Sequence, residues 1–303
     1  MRHHDHSTAG DGRIITSIIA NLVLTVAQIV GGILSGSLAL IADALHNFSD
    51  VGSMLIAYIA RRIARRPPDP GMTFGYGRIE MVAALVNYTS LFLVGLYLIT
   101  EGVLRLSDPP EVGGWVVIAL GTVALVVDAA TALLTGSIKG GGANIRALFL
   151  HNLSDALTSV AVVVSGVLIL LYDWRLIDPL ITIGIALYIL WMSVSEVGGV
   201  IRVLMLGSPP EMDSDAVLDR IRGIDGVTGV HHAHFWLIQE DTAALDTHVV
   251  VADRVWADQE NLKQAIKTAL ETDFGIHHST LEFEHEAGCH EHASDYGGPD
   301  GHP

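Results

Sequence analysis

Residues 38–60 read LALIADALHNFSDVGSMLIAYIA. As a helix this run is long enough to cross a hydrocarbon core of about 30 Å. Yet it holds Asp43, His46 and Asp50. A charged group at bilayer depth costs at least about 2.5–3.5 kcal/mol on insertion scales, so such residues point to a function. His46 and Asp50 stand at i and i+4 and share a helix face, and Asp43, three before His46, shares it too. A second apolar run repeats the pattern: Leu45-His46-Asn47-Phe48-Ser49-Asp50 returns as Leu150-His151-Asn152-Leu153-Ser154-Asp155. If the two helices pack together, two imidazoles and two carboxylates converge. Such a set suits four-coordinate Zn²⁺, with neutral His and ionised Asp. The same atoms bind protons, so metal and proton compete for them, as an exchanger requires.

Outward from these runs, six apolar segments cover about 14–34, 38–60, 79–104, 115–138, 145–171 and 177–203. Each has roughly the 20 residues that a membrane span needs. The first has an acidic, His-bearing flank and no small-residue cleavage site, unlike a cleaved signal peptide. Ser35-Gly36-Ser37, Arg105–Gly114 and Tyr172–Asp178 form the turns on one side, with Arg105 and Arg175 their only basic residues. The other side holds Arg61, Arg62, Arg65, Arg66, Arg78, Lys139 and Arg146, with Arg2, Arg13 and Arg202 at the ends. This bias places the basic side, and both termini, in the cytoplasm. Asp128 and Asn21 also lie in apolar segments and read as hydrogen-bonding residues of the bundle interior.

Composition divides the chain. Its 303 residues carry a net charge of -16 with a mean hydropathy of +0.45, and 17% are charged. That is below the roughly 25% typical of soluble domains. A cut before Pro209 leaves 14 acidic and 12 basic residues in 1–208, but 19 acidic and 5 basic in 209–303. The apolar content excludes global disorder, and the single Cys excludes an internal disulfide and fits a reducing compartment. The acidity argues against nucleic acid as a partner.

The expected organisation is a His-bearing tail (1–13), a six-helix transmembrane domain (14–208), a cytoplasmic α+β domain (209–286) and a second tail (287–303). Within 209–286, Asp213–Ile224 and Ala257–Phe274 have helical apolar stripes. Val227–Ile238, Ala244–Ala252 and Thr280–Glu284 read as strands, an αββαβ order. On an extended strand His232 and His234 would share one face and His231 the other, and Glu282 and Glu284 would share a face.

Several motifs together resemble the cation diffusion facilitator transporters. They are Ser37-Leu38-Ala39-Leu40 leading into Asp43–Asp50, Phe74-Gly75-Tyr76-Gly77-Arg78-Ile79-Glu80, and His151–Asp155. The resemblance covers about residues 14–286. It implies a homodimer in the bilayer that exports divalent metal from the cytoplasm in exchange for protons. His46, Asp50, His151 and Asp155 would be the transport site, with Asp43, Asn47, Asn152 and Asp128 around it or on the way in. His-x-x-x-Asp on both helices looks like a zinc transporter with cadmium or cobalt activity, whereas manganese-type members tend to carry Asp-x-x-x-Asp. The cytoplasmic domain would be metallochaperone-like and dimeric, and the short loops look bacterial, which implies the bacterial cytoplasmic membrane.

The same resemblance matches Glu282 and Glu284, by position, to a metal-binding His and Asp. It implies a cytoplasmic, regulatory Zn²⁺ site of His231, His248, Glu282 and Glu284, with His234 as a bridge. The Gly136–Asn144 loop departs from the family, since it lacks the His-rich stretch of many zinc members. The histidines lie instead in the tails, at His3, His4 and His6 and at Cys289, His290 and His292. These either collect metal or belong to plain tails. An intramembrane metalloprotease is the enzyme alternative, but it would need a general base beside an open metal, usually His-Glu-x-x-His, and that motif is absent. A metal sensor or uncoupled channel is the other alternative. No organic cofactor is expected.

Overall fold

A computed structural model describes residues 22–136, 143–239, 242–285 and 294–297. The chain divides into two compact units, Met1–Tyr58 with Val86–Glu196, and Ile59–Leu85 with Val197–Pro303.

The first unit is helical. Its helices are α1 (Leu22–Ser35), α2 (Leu38–Ala64), α3 (Ile79–Ser107), α4 (Gly114–Gly136), α5 (Ala143–Tyr172) and α6 (Ile177–Leu204). The ends of α2, α3 and α6 run into the second unit. Among the described residues, four stretches are long and apolar enough to cross a membrane: Ile79–Ser107, Gly114–Leu133, Phe149–Tyr172 and Ile177–Leu204. They bear exposed large apolar side chains such as Leu93, Val126, Leu157 and Trp191. In water such surface would be costly; in lipid it is the required solvent. The chain is thus an integral membrane protein. α2 matches these helices in length but carries Asp43, His46 and Asp50 in its apolar run.

Packing in this unit centres on Leu38, Leu40, Leu91, Leu98, Val162 and Ile189. α4 and α5 pack closely because glycine faces backbone: a Cβ on Gly166 would lie 3.0 Å from the Gly114 carbonyl oxygen. Small residues of this kind let membrane helices approach. The turn before α2 is tight, with Gly36 at φ 75°. Asp178, at the start of α6, caps α2: its carboxylate accepts from Ser37 Oγ (2.5 Å), Leu38 N (2.7 Å) and Ala39 N (3.3 Å). Arg105 lies in the last turn of α3 rather than in a loop, where it pairs with Glu101 and donates to the Gly36 carbonyl.

The second unit contains α7 (Ser214–Arg222), β1 (Val227–Gln239), β2 (Thr242–Val251), a 3-10 turn (Asp253–Asp258), α8 (Gln259–Phe274) and β3 (His278–His285). The sheet order is β1-β2-β3, with β1 antiparallel and β3 parallel to β2. Val217, Leu218 and Ile221 of α7, and Leu262, Ile266 and Leu270 of α8, bury their stripes against Val230, Phe235, Leu245 and Val249. Asp213 caps α7 by accepting from Ala216 N, and Gly275 ends α8 in the left-handed conformation. The αββαβ order read from the sequence is thus present. β3 extends beyond Thr280–Glu284 because parallel pairing with β2 continues from His278 to His285. The segment 59–85 joins this unit through Arg78, whose guanidinium donates to the carbonyls of Leu237 and Ile238, both at 3.0 Å.

Candidate metal centre

α2 and α5 bring the two His-x-x-x-Asp pairs together. His46 Nε2 lies 3.1 Å from Asp155 Oδ1 and 3.8 Å from Asp50 Oδ2. His151 Nε2 lies 3.5 Å from a carboxylate oxygen of each Asp. A tetrahedral ion with bonds of about 2.0–2.1 Å sets its ligands about 3.3 Å apart. The His–Asp separations are near that value, and His46, Asp50 and Asp155 present ligand atoms within 4.8 Å of one another, a trio that does not include His151. His46 is buried, while His151 is a third exposed. His46 Nδ1 has no hydrogen-bond partner among the described residues, so Nε2 alone faces the carboxylates.

A cavity of about 70 Å³ opens beside the cluster, lined by Asn47, Asp50, Asp128, His151, Asn152 and Asp155 among others. This is several times the volume that one water needs. Asp43 is buried and accepts from Gln28 Nε2 at 2.6 Å. Asn47 donates to the carbonyl oxygen of the same Gln28 at 3.4 Å. Asp128 accepts from Ser159 Oγ at 2.8 Å. Asp43 and Asp128 thus have neutral hydrogen-bonding partners, whereas Asp50 and Asp155 face imidazoles.

A second cluster lies in the small sheet. Cross-strand pairing sets His231 opposite His248, and His248 opposite Glu282. His248 Nδ1 is 2.7 Å and His231 Nε2 3.3 Å from Glu284, and His248 Nε2 is 3.5 Å from Glu282. His231, His248 and Glu284 present ligand atoms within 4.8 Å of one another. His234 stands apart from this trio: its Nε2 faces that of His232 at 3.2 Å.

Comparisons with known proteins identify the family. Residues 14–205 match the cation efflux transmembrane domain, and residues 209–286 match the cytoplasmic domain of cation efflux proteins. The chain belongs to the cation efflux family, the cation diffusion facilitators. This cation efflux protein is 33% identical to the "Cadmium, cobalt and zinc/H(+)-K(+) antiporter" of Bacillus subtilis, over 96% of this chain and 94% of that one. It is 31% identical to the "Metal cation efflux system protein CzcD" of Cupriavidus metallidurans, over 93% and 89% of the two chains. It is 32% identical to the "Zinc transporter ZitB" of Escherichia coli, over 91% and 85%. The family is one of transporters.

The strand rule holds for His232 and His234, which face each other, but needs correction for His231, which meets the same His248 ring as His232 does. The β1–β2 register shifts between His231 and His234, and His232 sits at φ 52°. This bulge turns the His232 ring onto His248, stacked at 4.8 Å, while it also touches His234. Partial burial first, then the neighbouring imidazoles, hold the His232 ring below its usual pKa. Sequence reasoning also missed Gln28 and Ser159. Their only signal is a polar side chain in an apolar run. His3, His4, His6, Cys289, His290, His292 and Asn21 lie outside the described residues.

Proposed function

We propose that this cation efflux protein exports Zn²⁺ from the cytoplasm in exchange for protons, by alternating access. The convergence of His46, Asp50, His151 and Asp155 from α2 and α5 carries the reading. Two imidazoles with two carboxylates favour zinc over harder ions, and cadmium and cobalt follow from the same donor softness. One divalent ion or two protons bring the cluster to the same charge, so either species can fill it while the helices reorient. Asp43, Asn47, Asn152 and Asp128 orient the four ligands or line the way in. The names of the relatives support the choice of ions and the antiport.

In this reading all six helices α1–α6 span the bilayer, as residues 14–208. The basic loops set both termini on the cytoplasmic side of a bacterial membrane. Residues 209–286 form a metallochaperone-like cytoplasmic domain that pairs in a homodimer, flanked by tails at 1–13 and 287–303. Its His231, His248, Glu282 and Glu284 take a regulatory ion. Such binding biases transport only if the ion prefers one conformation.

The test is Zn²⁺ uptake into everted vesicles or proteoliposomes under an imposed pH gradient. Uptake should collapse with the gradient, and Asp50→Ala should abolish it while the protein still inserts. Wild-type flux from Asp50→Ala would remove the site assignment. Downhill flux indifferent to the gradient would favour an uncoupled channel.

A further inference from the structure

The bulge in β1 builds a feature that the transport cycle does not use. His232 and His234 face each other through their Nε2 atoms at 3.2 Å, with ring planes 83° apart. Zn–N bonds of about 2.0–2.1 Å in tetrahedral geometry place two imidazole nitrogens about 3.3 Å apart. The pair therefore already has the spacing that one shared ion would impose.

The spacing is held from the backbone. His232 is a non-glycine residue with positive φ, a conformation that persists only where its surroundings enforce it. Those surroundings are a four-residue strap, 294–297. His232 N donates to the Ser294 carbonyl (3.0 Å), and Ala233 N donates to the Asp295 carbonyl (2.8 Å). The strap is fixed in turn by Tyr296, whose hydroxyl donates to Asp215, and by Arg222, which binds Asp295. Asp246 is the backbone partner of His234 across the strands. His232, His234, Asp246 and Tyr296 all line one open cavity of about 1020 Å³. An ion there would have two imidazoles, a carboxylate within the same cavity and room for water.

We propose that His232 and His234, with Asp246 beside them, form a separate site for an imidazole-binding divalent cation of the zinc class. It is distinct from the His231–His248–Glu284 trio, whose ligand atoms converge on Glu284 instead. The stacked His232 and His248 rings lie between the two. The site goes beyond the transport reading and stands or falls without it, since Asp50→Ala tests that reading separately.

The test counts Co²⁺ and Zn²⁺ bound per chain by equilibrium dialysis of the full-length protein in detergent. One variant carries His232→Asn and His234→Gln. Asn tolerates the left-handed conformation, and both replacements keep hydrogen-bonding capacity without the imidazole. A second variant carries His231→Ala and Glu284→Gln. The expected result is loss of one equivalent from the first variant, with that equivalent retained by the second. The single change His234→Gln leaves the His232 backbone alone and should weaken the same equivalent at least tenfold. It keeps the test valid if the double variant misfolds. An isotherm identical to the parent's would overturn the proposal. So would loss of the same equivalent from both double variants, which would mean one shared site.

Discussion

His46 Nε2 of α2 and Asp155 Oδ1 of α5 stand 3.1 Å apart, although 109 residues separate them in the chain. Neither helix holds a complete ligand set; the centre exists only at their contact. In the proposed transport site, the donor types at this contact set which ion is preferred. His46→Asp would replace a borderline imidazole with a hard oxygen donor. The expected outcome is weaker Zn²⁺ transport and a relative gain for Mn²⁺, since carboxylate sites suit harder ions. Competition of Mn²⁺ against Zn²⁺ in proteoliposomes measures it.

Asp178 holds the start of the ligand-bearing helix. Its buried carboxylate takes three hydrogen bonds from Ser37, Leu38 and Ala39. Asp178→Ala removes the cap and leaves buried donors unpaired, at a cost of about 1–3 kcal/mol. Asp178→Asn keeps one acceptor and should cost less. Thermal unfolding in detergent ranks the two, and equal midpoints would refute the capping role.

Gly166 faces the Gly114 carbonyl across α4 and α5. A methyl group there would also meet Ile118 Cγ1 at 2.9 Å and Ile118 N at 3.0 Å. Backbone cannot move aside as a flexible side chain can, so Gly166→Ala should destabilise the pair by about 1–3 kcal/mol. Gly184, with no heavy atom within 4 Å of an added Cβ, is the control, and Gly184→Ala should be tolerated. Parallel melting curves of the two variants check this.

Asp69 organises the loop between α2 and α3. The Tyr76 hydroxyl at 2.6 Å, and then the Gly71 N–H, hold its carboxyl below the usual range. A depressed folded pKa means that the unfolded chain binds the proton more readily. The loop's stabilisation is therefore present above the ordinary Asp pKa of about 3.9 and is lost as pH falls through the lower folded value. Asp69→Asn should abolish that pH dependence and lower the hydrogen-exchange protection of the Gly71 and Met72 amides at neutral pH. Unchanged protection would refute it.

Much of this was legible from local patterns. Apolar length and period mark the membrane helices, and the i, i+4 spacing of His46 with Asp50 and of His151 with Asp155 is set by helix geometry alone. The stripes of α7 and α8 follow from the same periodicity. Charge counting divides an acidic C-terminal part from an apolar one because composition needs no coordinates. The strands are read less well at their ends, since β3 is lengthened by its pairing with β2, a contact between distant segments.

The remainder depends on contacts between residues far apart in the chain. No spacing rule places Gln28 on Asp43, Ser159 on Asp128 or Asp178 on the start of α2, because each partner lies on another helix. Alternation along β1 fails between His231 and His232 because register is a property of two strands, and a one-residue bulge there leaves both rings on His248. Residue types and their local spacing thus established the class of protein and the chemistry that its ligands can perform. Packing alone chose which histidine meets which carboxylate, because hydrogen bonding and coordination act over about 3 Å and the chain sets no such distance between residues a hundred positions apart.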